Sequence, residues 1–347
     1  MTSKAIPVVD FSDFENRFAT IAEQVLDACK NIGFFHIVNY ETPSISQVDR
    51  TFELSKDYFA LSVDEKLACE QDTAKGKIEG YLGLYAQRLD PKIQKKGDYK
   101  ESFDMETLTE GRNIKHFPKL FQENRKDLEE FSKGMHATAL QVLELLAFAL
   151  KLPPNEKTGA NDWLSSTHEY ETNGSTSVLR LLRYPSRKQG DEGEEYDQKK
   201  NVILAGQHTD YNIITLLFQT APGLQVRASE DEWINVPVLK NSILANMGGM
   251  AEFFTNGLLK SAMHRVIDIP EQRNGKDRYS IGYFVYPESD TKITHMPSPL
   301  IPSKRPDFKE IPKGTVITTS AEYLKYRYRR SFLEKQSNHP EVDYNYI

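Results

Sequence analysis

His208, Asp210 and the distant His264 restrict this chain more than any other feature of its 347 residues. They can act together only if the segments that carry them meet. Side chains alternate across a strand, so residues i and i+2 project to one side. His208 and Asp210 have that spacing within the run from Val202 to Phe218, whose β-branched and apolar residues predict two strands joined near the motif. His264 opens another strand-forming run, to Ile269, so the third side chain comes from a different strand. Two imidazoles and one carboxylate suit one face of an octahedral ferrous ion and leave its other positions for a co-substrate and dioxygen. The same three residues could instead form a buried hydrogen-bonded cluster.

A chain with eight histidines supplies about half of one H-x-D by chance, so the motif needs support. Support comes from Arg278 and Ser280, in the strand-forming run from Arg278 to Tyr286. On a strand these two share a face. A guanidinium fork with an adjacent hydroxyl receives a carboxylate well, the fork binding both oxygens and the hydroxyl a remaining lone pair. That pattern suggests a diacid gripped at one end and chelating iron at the other. A second R-x-S, Arg329 to Ser331, lies in a run that reads as a C-terminal helix, where i and i+2 do not face each other. His339-Pro-Glu341 resembles H-x-E, but Pro340 opposes a strand there. Neither is expected to bind anything. His36, His116, His136, His168 and His295 stand alone and read as structural or exposed.

Organisation agrees with a single folded unit over 1–347. Phe18, Ile21, Ala22, Val25, Leu26, Cys29 and Ile32 recur at helical spacing, predicting an amphipathic helix near 16–33. A second helix is predicted from just after Phe121 to about Leu150, with Leu128, Phe131, Met135, Leu140, Leu143 and Leu146 on its apolar side. Residues 1–176 therefore read as a mainly helical region. From Ser177 short strands alternate with turn signals such as Pro222-Gly223, Ser229 to Glu232 and Asn274-Gly275, which suits a jelly roll over 177–318. Residues 319–347 read as a C-terminal helix and tail, with Tyr323, Tyr326 and Tyr328 packing the helix. The polar stretch 186–200 reads as a mobile loop near the site. Two cysteines, Cys29 and Cys69, and no charged-then-apolar leader lead to the expectation of a cytoplasmic location. A net charge of −6 argues against nucleic-acid partners, and the longest apolar run is too short to span a membrane.

With these motifs in place, the chain resembles the iron(II) and 2-oxoglutarate-dependent oxygenases, in the branch that includes isopenicillin N synthase. The resemblance runs from Ile6 to Phe11 and Gly33 to Asn39, through Tyr58 to Lys66 and Lys100 to Met105, into the segments around the triad. It implies an α+β fold with a double-stranded β-helix (jelly-roll) core. It also implies Fe(II) on His208, Asp210 and His264, 2-oxoglutarate on Arg278, Ser280 and Tyr184, and dioxygen as oxidant. The implied reaction is hydroxylation or desaturation of a small molecule, with release of succinate and carbon dioxide. Closer similarity to fungal members that include pyrimidine hydroxylases implies that Arg180, Tyr211 and Phe284 line the substrate. An Arg for carbonyls and two aromatics for a flat ring would suit a planar heterocycle, although packing roles explain these three equally well. Tyr81, Tyr85, Phe103 and Tyr326 are further candidates for pocket walls. Three positions depart from the family pattern. Leu182 replaces a common Asn, and Tyr40-Glu41 and Gly249 of Asn246-Met-Gly-Gly249 read as turn or surface variation. Two other functions stay open at this point: an iron oxidase of the same fold that does not use 2-oxoglutarate, and a non-catalytic small-molecule-binding protein.

Overall fold

Strand alternation builds two sheets that pack face to face. The computed structural model describes residues 5–72, 78–90, 94–155, 159, 162–171, 177–187, 197, 201–230, 232–269, 275–293, 296–306 and 315–327. The main sheet has eight strands in the order β1 (Val8–Asp10), β2 (Phe34–Val38), β10 (Ser242–Met247), β7 (Ile214–Gln219), β12 (Arg278–Val285), β5 (Val178–Tyr184), β4 (Glu101–Glu106) and β3 (Gly80–Leu82). The second sheet has four, in the order β6 (Ile203–His208), β11 (His264–Ile267), β8 (Leu224–Arg227) and β9 (Trp233–Asn235). Between them lies a core of Phe34, Leu182, Tyr184 and Leu244 from the main sheet with Leu204, Leu224, Val226 and Val266 from the second. This is the predicted α+β architecture, a double-stranded β-helix with helices laid on it.

The helices cover the other face of the main sheet. α1 (Phe14–Asn31) buries Ile21, Ala22, Val25 and Cys29, the stripe its 3.6-residue period lays along one side. α2 (Ile45–Phe59) starts at a capping box in which Ser44 and Gln47 satisfy each other's backbone amides. The predicted second helix is α5 (Arg125–Ala149), preceded by two short helices, α3 (Val63–Leu67) and α4 (Lys119–Glu123). α4 and α5 part at Asn124, whose φ of −109° and ψ of 24° leave the helical region. Its side chain donates to Leu120 O and accepts from Arg50 Nη2, replacing the continuous ladder with local bonds. α5 then buries Leu128, Phe131, Met135, Leu143 and Leu146 as its periodicity requires.

The region read as mainly helical also supplies four strands, β1 and β2 at one edge of the main sheet and β3 and β4 at the other. Their pairing is long-range: β2 lies against β10, and β4 against β5. A C-terminal helix occupies 320–327. Both decoy motifs, Tyr328, His295, Asn274 and most of the polar stretch 186–200 lie outside the described residues. Among the described residues, no helix is long and apolar enough to cross a membrane.

Candidate metal centre

Register brings the two histidines together. His264 opens β11 directly opposite His208, the last residue of β6, and their rings lie 4.2 Å apart. Asp210 is not on that strand, as its i+2 spacing had suggested. β6 ends at His208, and the chain turns there toward the main sheet, the Asp210 carbonyl accepting from the Gly249 amide at 2.7 Å. The turn still delivers the carboxylate, with Oδ1 3.9 Å from His208 Nε2 and 3.7 Å from His264 Nε2. The three ligating atoms all lie within 4.8 Å of one another.

Neighbouring groups fix which atoms face inward. His208 Nδ1 sits 2.8 Å from Gly206 O and His264 Nδ1 3.1 Å from Ala262 O. A carbonyl only accepts, so each Nδ1 carries the proton and each Nε2 offers a lone pair. Asp210 Oδ2 accepts from Thr215 Oγ1 at 2.6 Å and Asn246 Nδ2 at 2.7 Å, which leaves Oδ1 turned to the imidazoles. Burial, and then the neighbouring His264, push His208 down to about 3. Burial alone would raise Asp210, but His264, His208 and its two hydrogen bonds outweigh this and hold it below the ordinary carboxylate range. A neutral imidazole and an ionised carboxylate are the protonation states a divalent metal needs. Two Nε2 lone pairs and one carboxylate oxygen, each oriented by an outer partner, fit a ferrous ion.

Among the described residues, Arg278 is the largest fully buried side chain, 1 % exposed. Its Nη1 donates to Ser280 Oγ at 2.8 Å, Nη2 to Gln219 Oε1 at 2.8 Å, and Nε to the carbonyls of Ala221 and Pro222 at 3.0 and 3.2 Å. The guanidinium also lies 4.9 Å over the Tyr184 ring, since Tyr184 pairs opposite Arg278 in the sheet. Burial pushes the Tyr184 phenol up to about 12, so it stays a neutral hydroxyl. The structure thus brings Arg278, Ser280 and Tyr184 together on the inner face of the main sheet, and Leu182 packs beside them.

The other candidates separate into two groups. Arg180 and Phe284 meet, the guanidinium 4.8 Å over the ring. Tyr211 instead meets Arg327 of the C-terminal helix, stacked at 4.4 Å. Tyr81 and Phe103 face the helical layer, because odd-numbered residues of β4 point away from the second sheet. Phe103 packs on Tyr58, Phe117 and Phe121, and Tyr81 donates to Glu101. Tyr85 stacks against Tyr99, and Tyr326 packs at the edge of the helix-side core. His36, His136 and His168 are buried in structural roles, and His116 lies beside Glu79.

Asn246-Met-Gly-Gly249 is not surface variation. Asn246 orients Asp210, and a Cβ on Gly249 would come within 2.7 Å of Tyr323 Oη and 2.9 Å of Arg327 Nη1. Glycine there lets the C-terminal helix reach the ligand turn, where Arg327 Nη2 donates to Thr209 Oγ1 at 3.2 Å. Sequence reading also missed Thr215, Gln219 and Asp104. Their roles depend on partners in other strands, and no local spacing marks them.

Comparison with known proteins agrees with this geometry. Residues 6–124 match the model for the non-haem dioxygenase in morphine synthesis N-terminal region, and residues 175–287 match the 2OG-Fe(II) oxygenase superfamily. The chain is 34% identical to UPF0676 protein C1494.01 of Schizosaccharomyces pombe, over 88% of this chain and 87% of that one. It is 31% identical to clavatol oxidase of Penicillium crustosum, over 90% and 93%. Among solved structures, a full-length Neurospora crassa protein in complex with alpha-KG and thymine superposes with a TM-score of 0.74 at 23% identity, covering 94% of this chain and 96% of that one. A 2OG-Fe(II) oxygenase family protein from Caulobacter crescentus gives 0.73 at 26% identity, covering 94% and 99%. The chain belongs to the 2OG-Fe(II) oxygenase superfamily.

Proposed function

We propose that His208, Asp210 and His264 hold the ferrous ion of this 2-oxoglutarate-dependent dioxygenase, and that Arg278, Ser280 and Tyr184 hold its co-substrate. The observation that carries the reading is the divided carboxylate of Asp210: Oδ2 is taken by Thr215 and Asn246, while Oδ1 faces both Nε2 atoms. When bound, iron with 2-oxoglutarate and dioxygen supplies the oxidant for a substrate C–H bond, and the keto acid leaves as succinate and carbon dioxide. The chain's own part is placement. Arg278 and Ser280 take the distal carboxylate of the diacid, with Gln219 and the two carbonyls fixing the fork. Tyr184, kept neutral by burial, can donate a hydrogen bond beside it. The packed interior between the sheets excludes bulk water.

The substrate is a small molecule, and we propose a planar ring set over Phe284 and beside Arg180. Their direct contact on the inner face supports this, as does the thymine bound by the Neurospora crassa structural neighbour. Tyr211, stacked against Arg327 of the C-terminal helix, is not assigned to the ring. Under anaerobic conditions, ferrous iron followed by 2-oxoglutarate should give the visible charge-transfer absorbance of a chelated keto acid. Bound iron without that band would overturn the co-substrate assignment and favour an oxidase that does not use 2-oxoglutarate. Asp210→Ala should lose both the iron and turnover, yet keep its fold.

A further inference from the structure

Arg180 does not reach the interior as a lone cation. It pairs opposite Asp104 of β4 and opposite Gly282 of β12, so all three share the inner face with Leu182, Tyr184 and Ser280. Nε and Nη2 donate to the two oxygens of Asp104 at 2.7 and 2.6 Å, a bidentate fork-to-fork pair. Gly282 is part of the arrangement, because a Cβ there would come within 3.0 Å of the Phe284 ring that lies under the guanidinium. Asp104 is enclosed, its side chain 2% exposed, while the Arg180 side chain is 25% exposed. The carboxylate is the more enclosed member of the pair, so an incoming anion would meet Arg180 with its partner already in place.

A charge just before β4 is arranged likewise. Lys100 is buried and hydrogen-bonded to Asp98, which in turn accepts from the Gly206 amide two residues before His208. Two cations on this side of the interior, Arg180 and Lys100, are thus each paired with a buried carboxylate. An anionic substrate there would meet a guanidinium already neutralised and would lie against a buried carboxylate of the same sign. A ring carbonyl, amide or hydroxyl meets no such penalty.

We propose that Asp104 is a specificity-determining residue: by closing the fork of Arg180, it makes the pocket select uncharged polar substrates and exclude carboxylate-bearing ones. The inference rests on the reading that Arg180 and Phe284 line the substrate space. Removing the carboxylate while keeping its shape, Asp104→Asn, turns Arg180 into an open anion receptor.

The test uses the full chain loaded anaerobically with Fe(II) and saturating 2-oxoglutarate. It is titrated with acetate and with acetamide at constant ionic strength, and binding is read by calorimetry and melting temperature. Asp104→Asn should bind acetate at least about tenfold more tightly than the unmodified protein, with acetamide affinity unchanged. The gain should vanish in the double variant Asp104→Asn with Arg180→Gln. Equal acetate affinity in the unmodified protein and Asp104→Asn overturns the proposal, as does a gain that persists in the double variant. If Asp104→Asn does not fold, Asp104→Ser carries the same test, and failure of both to fold marks the pair as purely structural and sinks the specificity role. A missing visible band in the unmodified protein would undo the 2-oxoglutarate reading. An intact band with no gain in acetate binding undoes only this one.

Discussion

Two arginines project from neighbouring strands into the same interior, Arg278 fully buried and Arg180 a quarter exposed, and the groups that hold them differ. The hydrogen bonds described for Arg278 run to a hydroxyl, an amide oxygen and two backbone carbonyls. Arg180 donates to both oxygens of a buried carboxylate. On the proposed reading, a diacid would add a charged partner to those neutral oxygens around Arg278. A guanidinium already paired with a carboxylate is neutralised and offers only shape and donor edges. On the proposed reading one residue type serves two purposes, and the partner decides which. The R-x-S motif is informative because Ser280 is neutral, and Arg180 misleads when read alone because Asp104 is 76 residues away.

The largest test of this difference exchanges each arginine for glutamine. Arg278→Gln should raise the KM for 2-oxoglutarate by about 100-fold or more, the usual cost of removing one side of a buried charge-assisted pair, without changing iron affinity. Arg180→Gln should leave that KM unchanged. Its penalty should fall on stability, because it strands Asp104, which is far more enclosed than Arg180 itself. Melting temperature should therefore drop further for Arg180→Gln than for Asp104→Asn. If Arg180→Gln weakens 2-oxoglutarate as Arg278→Gln does, the two sites are not distinct and the comparison fails.

How much of this was legible in the sequence follows the range of the interactions. His208, His264, Arg278 and Ser280 were readable because strand alternation and strand-forming runs are local, and the periodic faces of α1 and α5 were readable for the same reason. Asp210 was identified, but its position off the end of β6 was not. The turn is set by a bond from the Gly249 amide, beyond any local pattern. Gly249 was taken as turn or surface variation and is buried, and the role of Asn246, 3% exposed, went unread because only the pairing of β10 with β7 places it beside Thr215. Asp104 escaped notice because its meaning depends on the β4 and β5 register.

A smaller effect tests whether the iron side depends on an outer partner as the Arg278 side does. Asn246→Leu removes one of the two donors to Asp210 Oδ2 and should weaken iron binding by about 10- to 100-fold. Thr215→Val should act similarly, since its hydroxyl makes the 2.6 Å bond to the same oxygen. Metal titration of the apoprotein measures both. Unchanged affinity in both variants would mean that Asp210 is positioned by its backbone alone, and that its outer partners matter less than those of Arg278.

Acid supplies the mildest test, because neither guanidinium titrates in the accessible range while several buried imidazoles do. His168 is 2% exposed on the helix side of the main sheet, and burial pushes it down to about 3 from 6.5. His36, near the sheet edge, is pushed down to about 4 by the same cause. The unfolded chain binds these protons first as pH falls below about 6.5, so the folded state loses stability from there down to the folded values and is at its full strength above. The slope is about 1.4 kcal/mol per pH unit for each histidine that remains neutral in the fold. Melting temperature should therefore decline between pH 6.5 and 5, and His168→Leu, whatever its stability at pH 7, should decline less steeply. Over the same interval, the ordering of Arg180→Gln below Asp104→Asn should persist, because the charge states of both arginines are fixed. A crossing of the two curves would show that the Asp104 pair is coupled to the histidines.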